Sequence, residues 1–566
     1  MQTELLLAAS WKDRLRILSN SDAAAEMVKA LAEEDVYLTI KHLGADDALP
    51  LLALTTPAQA RFILDVELWR RDRLDDAKVV EWVNHMLACG EAKIIEFAAT
   101  ADVELLTLVL GRLVHLVPNE EGAPIPEGLP NIMPDEFFTI LSKFPKETES
   151  VGLFLRILRQ ADRDYFYRLL FLAHGAIESE TEEEALRLRN SRLEEVGLLG
   201  FDEAIEIYGY VSEAEARRLA EAPPPVAPAE EPAVVAPGFP MLLVERRTFF
   251  RDLLVSLEDR ALANRLRREI AFSANRLLVA DAEHVGEIDA MAKALGRLFS
   301  LANVGLLWLS DGDRGEAMRL LARLPLRDIF QVGFSRAVDL KHEASRLALR
   351  FWPRWDTEGF LFLEAPQDQA LEGLLKRVPQ YYGLGRGEVG FRDFETAEEV
   401  RRTGRMLAEV RVLAEACFAK IGIPKPEDAR PVLGEVFARG LEDLTLESIF
   451  LTGAVNLLVA GEFAIVPLSP REMESLFETW LERDPGGNKV RPAGRDRIVA
   501  HLGELGGFSR EDLSVLESLV DRGLRALEDE IGELKTWRDV DPRYVSSLVF
   551  SRPGWQAQGR ERGGHE

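Results

Sequence analysis

Apolar residues recur every three or four positions along most of this chain. From Ser509 onward they fall at Leu513, Leu516, Leu519, Val520, Leu524, Leu527, Ile531 and Leu534, one stripe along one helical face. Residues 289–309 and 400–421 read the same way. Strict alternation, the mark of a half-buried strand, is scarce. Residues 359–363 and 463–467 are the best extended candidates. Helix starts carry the expected chemistry. Thr56-Pro57-Ala58-Gln59 offers an N-cap, a proline at the first turn and a capping-box partner; Thr181 with Glu184, Ser212 with Glu215, Thr396 with Glu399 and Ser469 with Glu472 repeat the pattern.

Near the N-terminus the predicted helices are short, at 22–32, 33–43, 46–54, 57–64 and 75–89. Helices of a few turns cannot bury an apolar face alone and need stacked neighbours, as in a solenoid. Proline punctuates the rest. A run of prolines from Pro223 to Pro237 denies the backbone both helix and sheet. The expectation is an all-α, multi-domain chain, solenoid-like at the N-terminus, a longer-helix bundle in the C-terminal half, with little or no sheet. Its predicted parts are a short-helix superhelical domain (1–117), a proline-rich loop (118–134), a second helical unit (135–221), a linker (222–238), a helical domain (239–365), a C-terminal helical domain (366–553) and a disordered tail (554–566).

Composition narrows the function classes. The net charge of −27 repels phosphate backbones, so nucleic acid is not expected as a partner. Cys89 and Cys417 are the two cysteines, and so few thiols in 566 residues suit a reducing cytoplasm. The start, Met1-Gln2-Thr3-Glu4, carries an acid where a secretory signal carries positive charge. No apolar run reaches the ~20 residues of a membrane helix. The nearest, 298–310 and 448–461, read as buried core helices, and membrane insertion is not expected.

Searches for chemistry return little. The eight histidines form no H-x-H or H-x-x-x-H pair and no Cys-x-x-Cys exists, so no metal or cofactor is expected. Asp311-Gly312-Asp313 opens like a calcium loop, but its twelfth position is Ala322, so it reads as a turn and helix start. Residues 385–390 match G-x-G-x-x-G without the strand-then-helix setting that binds pyrophosphate. That segment does combine Tyr381, Tyr382, Arg386 and Arg392, aromatic faces and arginine forks suited to a ligand or partner. Between 314 and 354, nine Lys or Arg stand against four Asp or Glu, with Arg319, Arg323 and Arg327 spaced by four and Phe351, Trp352 and Trp355 following. On one helix such a row could dock a polyanion, or pair with acids of the same chain. Trp11, Trp69 and Trp82, set among leucines, read as core.

Two resemblances add to this. Ala30-Leu31-Ala32-Glu33-Glu34-Asp35, Leu43-Gly44-Ala45-Asp46-Asp47-Ala48 and Thr56-Pro57-Ala58-Gln59-Ala60 resemble the superhelical intracellular domain of MgtE-type magnesium transporters, which implies a fold over residues 20–115 and no magnesium ligand. Asp65-Val66-Glu67-Leu68-Trp69-Arg70-Arg71-Asp72 with Glu81-Trp82, and Thr452-Gly453-Ala454-Val455-Asn456-Leu457-Leu458, resemble an uncharacterised bacterial family with a domain of unknown function. No activity follows from either. The expected function is a non-catalytic helical scaffold that binds another protein. The alternatives are an enzyme or small-ligand sensor with its site around 381–392, and polyanion binding through 314–354.

Overall fold

The structure, a computed structural model, describes residues 11–19, 21, 23–70, 72–120, 125–133, 135–175, 177–221, 247–283, 287–385, 388–424, 443–537, 541 and 544–551. The segment 222–246, holding the predicted linker, and the tail from 552 lie outside them, as does Arg386. The chain is mostly helical, with small two- and three-stranded sheets. It divides into two compact units, Met1–Ser335 and Arg336–Glu566.

Unit 1 opens with short helices: α1 (Trp11–Ser19), α2 (Ala24–Lys29), α3 (Glu33–Leu43), α4 (Leu49–Ala53), α5 (Pro57–Glu67), α6 (Asp76–Ala88), α7 (Glu91–Thr100) and α8 (Val103–Leu113). A two-residue hairpin, β1 (Trp69–Arg70) with β2 (Arg73–Leu74), joins α5 to α6. With α9 (Thr148–Ala161), α1 packs on α3, α3 on α5, α5 on α7 and α7 on α9; α4 packs on α6 and α6 on α8. Most of these helices thus lean on the next but one, the stacking that short apolar faces need. Local chemistry sets the starts. Thr56 accepts from the Gln59 amide at 3.2 Å, while its own N–H donates to the Gln59 side chain at 2.9 Å. Gln59 Nε2 then donates to the Val28 and Leu31 carbonyls at 2.8 and 2.9 Å, so the residue that caps α5 also ties it to the end of α2. Trp69 and Trp82 are buried as expected; the Trp11 side chain lies outside the described residues.

A three-stranded antiparallel sheet follows, in the order β3 (Val114–Pro118), β5 (Phe138–Ser142), β4 (Asn131–Met133). Then come α9, α10 (Arg163–Gly175) and α11 (Glu178–Glu195). The predicted start at Thr181 is displaced: α11 begins three residues earlier, and the Thr181 hydroxyl donates to the Ile177 carbonyl inside the first turn. α11 is unusually polar, and among its described residues only Ala185 and Leu193 are buried. Charge docks it instead. Arg192 grips Asp65 on α5 with two bonds of 2.7 and 2.8 Å and reaches Asp102, the residue before α8, at 2.6 Å. Glu182 accepts from Arg112 at 3.0 Å and from the Leu74 amide at 2.9 Å.

The rest of unit 1 holds α12 (Glu213–Glu221), α13 (Phe249–Val255), α14 (Arg260–Ala280), α15 (Ile288–Ser310), α16 (Arg314–Arg323) and the first residues of α17 (Leu326–Phe351). α15 runs ten residues further back than the apolar stretch 298–310 suggests. Its 23 residues are long and apolar enough to cross a membrane, and 78% of its apolar window is buried against α13, α14 and α16 among its neighbours.

In unit 2, α18 (Gln367–Leu375) leads to a hairpin, β6 (Tyr381–Gly385) with β7 (Glu388–Arg392), then to α19 (Ala397–Ala414), which relaxes into a π-helical turn over Glu415–Ile421. α20 (Leu446–Val459), apolar all round and buried from Leu446 through Leu458 save Glu447, is the central helix. α19, α21 (Pro470–Thr479), α22 (Pro492–Glu504) and α23 (Arg510–Ile531) surround it, with a hairpin of β8 (Leu481–Asp484) and β9 (Gly487–Val490) after α21. Capping boxes at Thr396, Ser469 and Ser509 start α19, α21 and α23.

Neither extended candidate is a strand. In 463–467 the backbone is satisfied by a side chain: Asn456 Nδ2 donates to the Ala464 and Val466 carbonyls at 2.9 and 2.7 Å, leaving no ladder to build. In 359–363 the chain turns at Gly359 (φ 71°) and Phe362 (φ 71°), and Trp352 Nε1 donates to the Leu361 carbonyl at 2.8 Å.

Candidate functional site

A cleft of about 290 Å³ lies in unit 1, between the C-terminal half of α8, β3, the end of β5, α10 and the start of α11. Thr107, Leu108, Gly111 and Arg112 come from α8, His115 and Leu116 from β3, Ala173 and His174 from α10, and Thr181 from α11; Lys143 follows β5. The sheet register brings them together. His115 pairs with Leu141 across the ladder, and Lys143 then donates its backbone N–H to the Leu113 carbonyl at 3.0 Å and its Nζ to the Gly111 carbonyl at 2.5 Å. Arg112 is held in the wall by Glu182 at 3.0 Å and Asp76 at 3.4 Å. The His174 ring packs on Phe138 at 5.3 Å.

An aromatic face adjoins the cleft. Phe171, one turn before His174 on α10, packs on Phe138 at 5.1 Å and on Phe137 at 5.6 Å, and Phe137 packs on Tyr167 at 5.2 Å. Phe137, Phe171 and Leu172 remain 44%, 50% and 41% exposed. Beside them Arg159 and Arg163 lie over the Tyr167 ring at 5.9 and 5.6 Å and face Asp135 and Glu136.

The residues singled out from sequence lie elsewhere. Tyr381, Tyr382 and Arg392 belong to the β6–β7 hairpin of unit 2, not to an irregular loop. Tyr381 packs on Phe394 and Tyr382 on Phe391, at 5.5 and 5.4 Å. The Arg392 guanidinium lies 4.9 Å over the Tyr381 ring and binds the Glu399 carboxylate at 2.5 and 3.3 Å, tying the hairpin to the first turn of α19. Of the G-x-G-x-x-G match, Gly385 ends β6 and residues 388–390 lie in the antiparallel strand β7, and the next helix starts only at Ala397. The arginine row is broken. Leu324 and Pro325 separate α16 from α17, so Arg327 starts a new helix and does not continue the face of Arg319 and Arg323. Arg319 pairs with Glu316 at 2.7 Å, Arg323 donates to the Ala220 carbonyl at 2.7 Å, and Arg327 approaches the Glu206 carboxylate at 3.7 Å. Phe351 and Trp352 are buried in unit 2. The calcium-like Asp313 caps α16, accepting from the Glu316 amide at 2.7 Å.

Thr107, His115, Lys143 and His174 carry no sequence signal: each comes from a different part of the fold, and the β3–β5 pairing together with the packing of α10 on α8 gathers them. A second buried constellation, Tyr208, Asp281 and Arg297, is closed on itself. The tyrosine hydroxyl donates to Asp281 at 2.9 Å, the guanidinium donates to the phenol oxygen at 3.0 Å and binds Asp281, and burial pushes the Tyr208 phenol up. Among the described residues no group of three His, Cys, Asp or Glu is placed to hold a metal ion.

The motifs quoted for family resemblance are structural joints. Asp65 receives Arg192, Glu67 accepts from Tyr37 at 2.7 Å and Lys41 at 2.8 Å, and Thr452 Oγ1 accepts from the Val549 amide at 2.9 Å. The family model for a family of unknown function (DUF6178) matches residues 1–551. The chain belongs to this family. No curated protein and no solved structure matches it. The match therefore spans both units, including the stretches that carry the cleft and the aromatic face.

Proposed function

We propose that this DUF6178 protein is a non-catalytic helical scaffold that recognises another protein through the aromatic face of unit 1. The observation that carries the reading is the contiguous exposure of Phe137, Phe171 and Leu172. Large apolar side chains left together in water mark a surface that is covered in use, and aromatic anchors with arginine at the rim are the usual makings of a binding hot spot. Arg159 and Arg163, already stacked on Tyr167, supply that rim. The stacked rows α1–α9 suit the role, since such a frame presents side chains on rigid helices; the likeness to the MgtE-type superhelical domain belongs to this reading as a fold alone. The partner surface is an apolar face of a folded protein.

The test is affinity capture from the source cells with the full chain and with Phe171→Asp and Phe137→Ser, identified by mass spectrometry. The reading expects a partner retained by the parent chain and lost from both variants at unchanged circular dichroism. Identical captures from parent and variants overturn it.

A further inference from the structure

We propose that the cleft between α8, β3, α10 and α11 binds a small molecule through an oxyanion, a phosphate or carboxylate group, held by Thr107, His115, Lys143 and His174. Its polar lining consists of bases and hydroxyls only: Arg112, His115, Lys143, His174, Thr107 and Thr181. In a chain with 96 acidic against 69 basic side chains, a cleft without a lining carboxylate is a local reversal of charge. Two acids outside the lining, Glu182 and Asp76, are engaged by Arg112, and Glu182 also accepts from the Leu74 amide.

The Thr107 hydroxyl is the specific pointer. The residue is 4% exposed and its Oγ1 has no hydrogen-bond partner. Helical threonines ordinarily return that hydroxyl to the carbonyl four residues back. Thr39, Thr100 and Thr452 do so here, at 2.6, 2.7 and 2.7 Å. Thr107 does not, and a buried hydroxyl left without a partner is destabilising. An oxyanion oxygen would accept its proton. Lys143 adds charge at fixed position. One of its three ammonium donors goes to the neutral Gly111 carbonyl, which anchors the side chain and leaves two donors for a ligand. The rings of His115 and His174 present N–H donors in either protonation state, and Phe138 fixes the second of them. The volume suits a phosphate or carboxylate with a short organic body rather than a large cofactor. The inference stands apart from the partner reading, because Phe137, Phe171 and Leu172 do not line the cleft.

Calorimetric titration of the full chain with sodium phosphate and with sodium succinate, at constant ionic strength set by sodium chloride, tests it. One saturable site for either anion is expected, and which of them saturates identifies the group. Thr107→Val should weaken that binding about tenfold, one hydrogen bond's worth, while leaving the ligand-free melting temperature equal or higher. Lys143→Met, at an exposed position, should weaken it at least as much. Saturation by neither anion, or parent-like binding by both variants, overturns the proposal; in the latter case the ion is adventitious and Thr107 is satisfied by solvent.

Discussion

Gly305 on α15 and Gly333 on α17 meet face to face. A Cβ on Gly305 would lie 2.0 Å from the Ile329 carbonyl oxygen, and one on Gly333 would lie 1.9 Å from the Leu301 carbonyl oxygen. Two backbones therefore touch where α15 crosses α17, and no side chain has room to yield. Gly305→Ala or Gly333→Ala should cost about 3 kcal/mol or more, at the upper end of overpacking penalties. Gly296, on the same helix, has nothing within 4 Å of its added Cβ. Gly296→Ala should stabilise by about 0.5–1 kcal/mol through helix propensity alone. Urea unfolding of the three variants separates contact from propensity; equal effects at 296 and 305 would refute the crossing.

Glu34 is a buried carboxyl whose pKa is raised from 4.5 to about 8, first by desolvation, with Asp35 and Glu33 adding to the rise and its own backbone N–H opposing it. Below pH 4.5 the folded and unfolded states both carry the proton and the site costs nothing. Between 4.5 and about 8 the unfolded chain releases the proton and the folded chain keeps it, so stability falls as pH rises; above 8 the penalty is constant. Glu34→Gln should therefore stabilise by up to about 4 kcal/mol at pH 8 and by little at pH 4.5. Melting temperatures of parent and variant across that range give the result, and a pH-independent difference would rule the mechanism out.

Much of this fold is written locally. Thr56, Thr396 and Ser469 announce helices α5, α19 and α21 because a capping box needs only four consecutive residues, and Leu516 through Ile531 announce α23 because a buried stripe repeats. The short strands escape the same reading. Val114-His115-Leu116-Val117 continues the apolar texture of α8 without a break in composition, so nothing in the sequence marks where helix becomes β3. Tyr381 and Arg392 could be seen as an aromatic-cation pair, but not as opposite ends of one hairpin, since Arg392 is committed to Glu399 only once the strands pair. The cleft is the extreme case. Thr107, His115, Lys143 and His174 share no periodicity, and tertiary contacts alone decide that they face one space.

Arg192 makes a sharper claim about α11. With only Ala185 and Leu193 buried among its described residues, this helix depends on ion pairs for its docking. Arg192→Ala leaves Asp65, which is 2% exposed at its side chain, without its principal partner. Breaking such a buried pair costs about 3–5 kcal/mol. The loss should be local, with amide hydrogen exchange across 178–195 accelerating at least tenfold while that of α15 holds. Thr181 belongs to the same helix, so anion binding in the cleft should weaken as well. Unchanged exchange over 178–195 would show that apolar contacts hold α11 after all.

Asn456 does in unit 2 what a partner strand would otherwise do. Its amide donates to two carbonyls, at Ala464 and Val466, from a side chain 1% exposed at the heart of α20. Removing the donors strands two acceptors on a segment with no ladder to replace them, at about 1–3 kcal/mol each where water cannot reach. Asn456→Ala should lower stability by about 2–4 kcal/mol on that basis. Asn456→Asp is the discriminating variant, because it keeps the size and shape of the side chain but supplies only acceptors when ionised. It should be no more stable than the alanine variant at neutral pH, and should recover part of the loss in acid, where the protonated carboxyl can again donate to one carbonyl. Chemical denaturation at pH 7 and pH 4 measures both. An aspartate variant as stable as the parent at pH 7 would mean that packing, and not donation, holds residues 463–467 against α20.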